Sequence, residues 1–242
     1  MIIQLPSEFD HTVGCYVTDY IQGVIFSLSA FISMCMPLQN PSRKQKMLRM
    51  SSAIGVLISS FYSALGAVVH QFYLDESSAY FYNVMWNVAG TFGFIGFIMI
   101  GLMMYSIYFT VNNIVLVGTG CLICVSMVFP WCTKMSVTVL TGITFIDSVI
   151  FVVSSCFVLK RAEKGVFDKL KKLFTVQIIA LVIIIAGAAC QVFKWGVNES
   201  FNYNGVYHVC NIIGLPVVLI SVTYCKWYEI NEEKEPLISS VV

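Results

Sequence analysis

Long apolar stretches dominate the chain and are separated by short polar connections. A helix needs roughly 20 mostly apolar residues to cross a hydrocarbon layer about 30 Å thick. The stretches lack the alternation of apolar and polar residues found in membrane barrels, and a helix satisfies its own backbone hydrogen bonds within lipid. The pattern predicts seven spanning helices, at residues 13–36, 50–73, 80–109, 114–130, 135–159, 173–193 and 205–225.

Composition supports an integral membrane protein. Hydrophobic residues make up 58% of the 242 residues and charged residues only 11%, whereas an ordinary soluble domain has about 25% charged residues. We therefore predict an all-α seven-transmembrane helix bundle over residues 1–228 and a tail at 229–242. Membrane lipids are the expected partners, and no nucleic acid is expected.

The basic residues predict the orientation of the bundle. All 14 Lys and Arg residues except Lys134 and Lys194 lie in the first connection, before the sixth span or in the tail. Short loops rich in these residues stay in the cytoplasm. The opposite side carries Asn198-Glu199-Ser200, an N-glycosylation sequon. The N-terminus is therefore predicted to be lumenal or extracellular and the C-terminus cytoplasmic.

The two halves of the chain show weak internal similarity. At an offset of 121 residues, Gly66-Ala67 aligns with Gly187-Ala188, and Tyr82-Asn83 aligns with Tyr203-Asn204. This predicts a parallel repeat in which spans one to three match spans five to seven and span four connects them. Apolar composition inflates such matches, so chance similarity is the alternative.

The tail contains a candidate sorting signal. Glu233, Leu237 and Ile238 have the spacing of an acidic dileucine motif. The pattern resembles tails that endosomal and lysosomal adaptors bind, so we expect a sorting adaptor as a partner and a lysosomal or late endosomal location. The alternatives are the endoplasmic reticulum or Golgi and the plasma membrane.

Polar residues within the spans point to a site, because they are costly in a membrane. The predicted orientation places one group near the lumenal surface: Asp19, His70, Asn83, Asn87, Asn204 and His208. Asn83 and Asn87 are spaced by four residues, as are Asn204 and His208, so each pair shares a helix face. The group is interpreted either as a functional cluster or as hydrogen bonds that hold neighbouring helices together.

Asp147 is a separate case, because it lies near the middle of the fifth span. Such a carboxyl group needs water, a partner or a proton. Gln177 and Gln191 on the sixth span are candidate partners. A proton-handling or substrate-binding role and a purely structural role remain open.

Cysteines give little support for a disulfide framework. Most of the nine lie within or against apolar spans, where Cys behaves as a small hydrophobic residue. Cys132 lies in a lumenal loop, and Cys15 near the same face is its candidate disulfide partner.

The polar motifs resemble those of a superfamily of seven-helix membrane hydrolases that includes alkaline ceramidases, progestin and adiponectin receptors, and lipid-remodelling factors of glycosylphosphatidylinositol anchors. Asp19 resembles the acidic residue by helix one, and His70 resembles the histidine late in helix two. His208 resembles the second histidine of the pair that opens helix seven. Asn204 stands where that pair has its first histidine.

This resemblance implies a zinc site that hydrolyses lipid amides or esters. It implies His70, His208 and Asp75 as the metal ligands. Asn204 would contact the ligands or the developing oxyanion, and Asp19 and Ser63 are further catalytic candidates. Gly66 occupies the position of the family's serine, one turn before His70.

Two other functions remain open. A small-solute or proton-coupled transporter of the lysosomal membrane would use Asp147 as its proton site and Asn83, Asn87 and Asn204 to bind substrate. A non-catalytic membrane protein that binds lipid or a protein partner would need none of these residues.

Overall fold

The computed structural model describes residues 12–36, 43–72, 79–108, 113–132, 149, 152–153, 156 and 164–224. No strand occurs among these residues, which confirms the all-α prediction for this part of the chain. The described residues form six long helices: α1 Val13–Cys35, α2 Arg43–Phe72, α3 Ala79–Tyr108, α4 Asn113–Cys132, α5 Lys164–Phe193 and α6 Tyr203–Tyr224.

Within the described part of the chain, four helical segments are long and apolar enough to cross a membrane: Val13–Cys35, Arg49–Phe72, Thr175–Phe193 and Tyr203–Ile220. Helices α3 and α4 contain shorter apolar segments, Val84–Ile100 and Asn113–Val128. Most of the predicted fifth span lies outside the described residues. The count of seven spans and the internal repeat therefore stay predictions.

Helix α1 is polar inside and apolar outside. In lipid, moving apolar side chains between helices gains no hydrophobic free energy. Close packing and interhelical hydrogen bonds therefore drive the association of helices. The inward face of α1 carries Cys15, Thr18, Asp19, Gln22, Gly23, Phe26, Ser29, Ala30 and Ser33. Its exposed large apolar side chains include Val13, Val17, Val24, Leu28 and Phe31, as expected for a lipid-facing surface.

Helix α1 also lies at the centre of the described bundle. It packs against both α2 and α6, while α3 packs on α2, α4 on α3, and α5 on α6. One apolar core joins the three central helices, formed by Phe26, Ala30, Ala53, Val56 and Leu219. Polar residues of α1 are therefore enclosed by α2 and α6.

The connection between α5 and α6 fixes one end of the bundle. Helix α5 ends at Phe193, and the next residue, Lys194, has a left-handed backbone with φ of 56°. The Trp195 N–H then donates to the Cys190 carbonyl at 2.9 Å. The Gly14 N–H at the start of α1 donates to the Ser200 carbonyl at 3.0 Å. The sequon thus lies beside the start of α1.

The opposite end of α1 meets the basic segment of α2. The Arg49 guanidinium donates to the Met34 carbonyl in the last turns of α1. The sequon and the first basic segment therefore lie at opposite ends of α1, as the charge distribution predicts.

Helices α5 and α6 approach each other at two glycines. A Cβ atom on Gly214 would lie 2.5 Å from the Ile184 Cγ1 and 2.9 Å from the Ala180 carbonyl oxygen. A Cβ atom on Gly187 would lie 2.5 Å from the Cys210 Cβ. Real Cβ atoms do not approach other atoms this closely, so the spacing of the two helices depends on these glycines.

We expect Gly214→Ala to destabilise the protein by about 1–3 kcal/mol, as overpacking typically does. The new methyl group meets the backbone of α5, which cannot rotate away. Thermal unfolding of the detergent-purified protein measures the effect.

Gly118→Ala in α4 is the matched control, because a Cβ atom there meets nothing within 4 Å. Within a helix, Ala is favoured over Gly by up to about 1 kcal/mol, so this variant should unfold no earlier than wild type. Equal stability of the two variants would contradict the close contact between α5 and α6.

Candidate functional site

A buried carboxylate lies between two imidazoles from different helices. Asp19 of α1 is only 2% exposed. Its Oδ1 lies 3.2 Å from the His208 Nδ1 of α6, and its Oδ2 lies 4.0 Å from the His70 Nε2 of α2. Both histidines are buried. We call Asp19, His70 and His208 the carboxylate–histidine cluster.

Gly66 gives the Asp19 carboxylate its space beside α2. A Cβ atom on Gly66 would lie 3.3 Å from the Asp19 Oδ2, so a larger side chain at this position would press on the carboxylate. His70 follows Gly66 by one helical turn and therefore projects from the same face of α2. The position that carries the serine in the resembled family is thus next to Asp19 here.

A hydrogen-bonded chain of polar side chains leads away from His208. The His208 Nδ1 also lies 3.2 Å from the Gln22 Oε1, and the Gln22 Nε2 donates to the Ser63 Oγ at 2.7 Å. The Ser63 hydroxyl in turn donates to the Ser59 carbonyl at 3.2 Å. The chain fixes the amide of Gln22 and, through it, the ring of His208.

Aromatic rings border both histidines. The indole of Trp86 on α3 contacts the His70 ring edge-on, with ring centroids 5.7 Å apart. The Tyr207 ring lies 5.4 Å from the His208 ring, measured between centroids. These rings limit the positions that the two imidazoles can adopt.

Cys15 belongs to the same buried group. The ligand atoms offered by Cys15, Asp19 and His208 all lie within 4.8 Å of one another, and all three residues are buried. Thiolate, carboxylate and imidazole are the donors that zinc takes in proteins. The structure therefore contains a cluster that could hold a metal ion.

The structure brings several of the predicted site residues together. Asp19, His70 and His208 meet directly, and Asn204 is buried one turn before His208. Ser63 lies near the cluster, but its hydroxyl accepts from Gln22 and donates to the backbone. Both hydrogen-bonding roles of Ser63 are therefore already used, which favours a structural role over a nucleophilic one.

Helix α3 places Trp86 against His70 of the carboxylate–histidine cluster. Asn87, one residue later, is half-buried, and its backbone carbonyl accepts a hydrogen bond from Thr91. Asn83 lies in the first turns of α3, and its side chain is outside the described part of the structure. Membership of the two asparagines in the site stays a prediction.

Other predicted site residues lie outside the described residues: Asp75, Asp147, Glu233, Leu237 and Ile238. The proposed partners of Asp147 are described. Both polar side-chain atoms of Gln177 and the Oε1 of Gln191 are buried and have no hydrogen-bond partner in the described part of the chain. A contact between these amides and Asp147 stays a prediction.

The candidate disulfide between Cys15 and Cys132 does not form. Neither residue forms a disulfide, because Cys15 is fully buried in the cluster whereas Cys132 is exposed at the end of α4.

We did not predict from the sequence that Cys15 lies beside the carboxylate–histidine cluster or that Gln22 contacts it. Cys15 precedes Asp19 by four residues and Gln22 follows it by three, the spacings that share a helix face. That signal was available in the sequence.

One family model matches residues 15–225, and its description is a family of unknown function, DUF6962. The chain belongs to this family. The match includes all four residues Cys15, Asp19, His70 and His208. No curated protein and no solved structure matches the chain.

We expect Ser63→Ala to destabilise the protein by about 1–3 kcal/mol, because it leaves the buried Gln22 amide without its acceptor. Thermal unfolding in detergent tests this expectation.

Ser29→Ala is the control, because the Ser29 hydroxyl donates only to the Ile25 carbonyl of its own helix. Loss of this hydroxyl leaves no side-chain donor unsatisfied, so Ser29→Ala should destabilise the protein clearly less than Ser63→Ala. If both variants unfold alike, Ser63 does not support the site in the way described.

Proposed function

We propose that this protein is a membrane-embedded, zinc-dependent hydrolase of lipid amides or esters. The observation that carries the proposal is the buried Asp19 carboxylate, which faces His208 with one oxygen and His70 with the other. Three helices converge on this point. The motif resemblance to seven-helix membrane hydrolases supports the same chemistry.

The donor set fits zinc. Ligand atoms about 2.0–2.1 Å from a tetrahedral zinc ion lie roughly 3.3 Å from each other, and the Asp19 and His208 atoms are 3.2 Å apart. These two residues would hold the ion, the Cys15 thiol lies close to both of them, and His70 faces the second oxygen of Asp19. Zinc in such a site supplies Lewis acidity toward a carbonyl group and activates water.

The depth of the cluster suits a lipid headgroup linkage. Asp19 lies seven residues after Thr12, the residue that precedes α1, which corresponds to about 10 Å along the helix axis. The hydrocarbon layer is about 30 Å thick. Asp19 therefore lies in the third of α1 nearest its start, on the side where the amide or ester bonds of the lipids in that leaflet lie.

The surrounding residues would hold and shield the reacting groups. Gln22 borders the nitrogen that would bind the ion, with its Oε1 3.2 Å from the His208 Nδ1, and the Trp86 ring packs against His70. Asn204, one turn before His208, is the neighbouring amide that could donate a hydrogen bond to a substrate oxygen. Asp19 supplies the carboxylate within the described residues, the role that the resemblance gives to Asp75.

The transporter function is the rival proposal. It depends on Asp147 rather than on the carboxylate–histidine cluster. Metal binding and lipid hydrolysis therefore separate the two proposals, because a transporter centred on Asp147 requires neither.

We expect the detergent-purified protein to contain zinc in near-equimolar amount, and we expect Asp19→Asn and His208→Ala each to lower that content strongly. Both residues are donors in the proposed site. Elemental analysis measures the metal, and a screen of lipid amides and esters in mixed micelles measures hydrolysis, which should fall to background in both variants.

Cys121→Ala is the control, because it removes a possible metal donor that is exposed on α4, a helix that packs on α3. It should retain both zinc and hydrolysis. A folded wild-type protein that is free of metal and remains so after incubation with zinc would overturn the hydrolase proposal.

We also propose seven spans, with the cluster on the lumenal side of an endosomal or lysosomal membrane and Asn198 glycosylated. The exposed Asn198 presents its Oδ1 to the backbone N–H groups of Ser200 and Phe201, which leaves the amide nitrogen for a glycan. The dileucine motif of the tail supports the compartment.

We expect Asn198→Gln to abolish a mobility shift that glycosidase treatment produces in wild type expressed in animal cells. Asn202→Gln is the control, because Asn202 is not part of an N-glycosylation sequon. An unshifted wild-type protein would argue that this end of the bundle does not face the lumen.

A further inference from the structure

We propose that Cys15 is a metal ligand, so that the site has a thiolate, carboxylate and imidazole donor set from Cys15, Asp19 and His208. This inference rests on the proposed metal site. The resemblance implies histidine and aspartate ligands only, and it assigns no role to this cysteine.

The geometry of α1 places the thiol at the cluster. Cys15 precedes Asp19 by four residues, so both side chains project from the same face of the helix. Cys15 is fully buried, and its sulfur lies within 4.8 Å of the Asp19 and His208 ligand atoms. A shift of about 1 Å would bring the sulfur to the spacing of zinc ligands, which bind at about 2.3 Å for sulfur and 2.0–2.1 Å for nitrogen.

A close contact between α1 and α6 allows this approach. A Cβ atom on Gly205 would lie 3.5 Å from the Gly14 carbonyl oxygen and 3.0 Å from the Phe201 ring. The 3.5 Å distance is an ordinary van der Waals spacing, whereas a Cβ atom on Gly14 would overlap the Ser200 carbonyl oxygen. Glycine at position 14 therefore lets the start of α1 meet the residues that precede α6. Cys15 follows Gly14 directly, and His208 follows Gly205 by one turn, so the contact brings thiol and imidazole to the same side.

His70 is not one of the three proposed metal ligands. Its Nε2 faces the second oxygen of Asp19 at 4.0 Å, while the first oxygen faces His208. The compact group of ligand atoms comprises Cys15, Asp19 and His208. His70 is therefore assigned as a positioning residue that orients the Asp19 carboxylate, and three protein ligands leave the fourth position that a catalytic zinc site needs.

Coordination by Cys15 has chemical consequences. Metal binding displaces the thiol proton, which leaves to solvent, and the sulfur binds as a thiolate. Thiolate ligands select zinc and similar soft or borderline ions over magnesium, calcium and manganese. The site should therefore bind Zn²⁺, Co²⁺ and Cd²⁺ in preference to Mg²⁺.

The test is the absorption spectrum of the full-length, metal-depleted protein in detergent after addition of Co²⁺ alone. A tetrahedral cobalt site with a thiolate ligand gives visible d–d bands and a near-ultraviolet sulfur-to-cobalt charge-transfer band. We expect both in wild type. Cys15→Ser should lose the charge-transfer band and bind Co²⁺ at least about tenfold more weakly, because loss of even an outer partner costs 10–100-fold.

Cys210→Ala is the matched control, because Cys210 lies on α6 two residues after His208 and is half-buried. It should keep both bands. His70→Gln should also keep the charge-transfer band, since the thiolate does not depend on that residue.

The outcomes separate this inference from the proposed function. Wild-type d–d bands without a charge-transfer band would overturn Cys15 as a ligand while leaving the metal site standing. The absence of any cobalt spectrum would overturn both. If Cys15→Ser fails to elute as a folded species, the charge-transfer band of wild type still tests for a thiolate ligand. Retention of that band in Cys210→Ala then excludes Cys210 as the source of the thiolate.

Discussion

Burial of the Asp19 carboxyl group is the constraint on which the arrangement of α1, α2 and α6 depends. Moving a charged carboxylate out of water costs several kcal/mol even after relaxation of the surroundings, and at membrane depth there is little water to compensate. Asp19 is 2% exposed. Its compensation comes from the imidazoles of His70 and His208, so α1 has to pack between the helices that carry them.

A seam of small and polar residues holds α1 against α2 in the register that this cluster needs. The Ser27 and Ser60 hydroxyl oxygens are 2.5 Å apart, and the Ser60 hydroxyl also donates to the Gly23 carbonyl at 2.8 Å. Between helices in lipid, such hydrogen bonds and close contacts replace the hydrophobic effect as the source of association. The same contacts that stabilise the pair therefore direct Asp19 toward His70.

The members of the carboxylate–histidine cluster could be predicted from the sequence, and the spacing of Cys15 from Asp19 was visible there too, but which of these groups meet could not be predicted. Helix direction places Asp19, His70 and His208 at one depth, because successive spans cross the membrane in opposite directions. The motif resemblance implied Asp75 as the metal-binding carboxylate, and Asp75 lies outside the described residues. That Asp19 faces both histidines depends on how α1 is rotated, which the motif does not show. Cys15 resembled an ordinary apolar residue, because a cysteine within a span has no polar signature of its own.

Taken alone, the sequence determined the helical architecture, the polar residues within the apolar helices, and the separation of the basic segment from the sequon. These features follow from apolar length and from periodicity within one helix, which are local properties of the chain. Only the tertiary structure decided which atoms meet. The Asp19 oxygens face His70 and His208 because Gly66 leaves space beside α2, and such contacts depend on the rotation and separation of helices far apart in sequence.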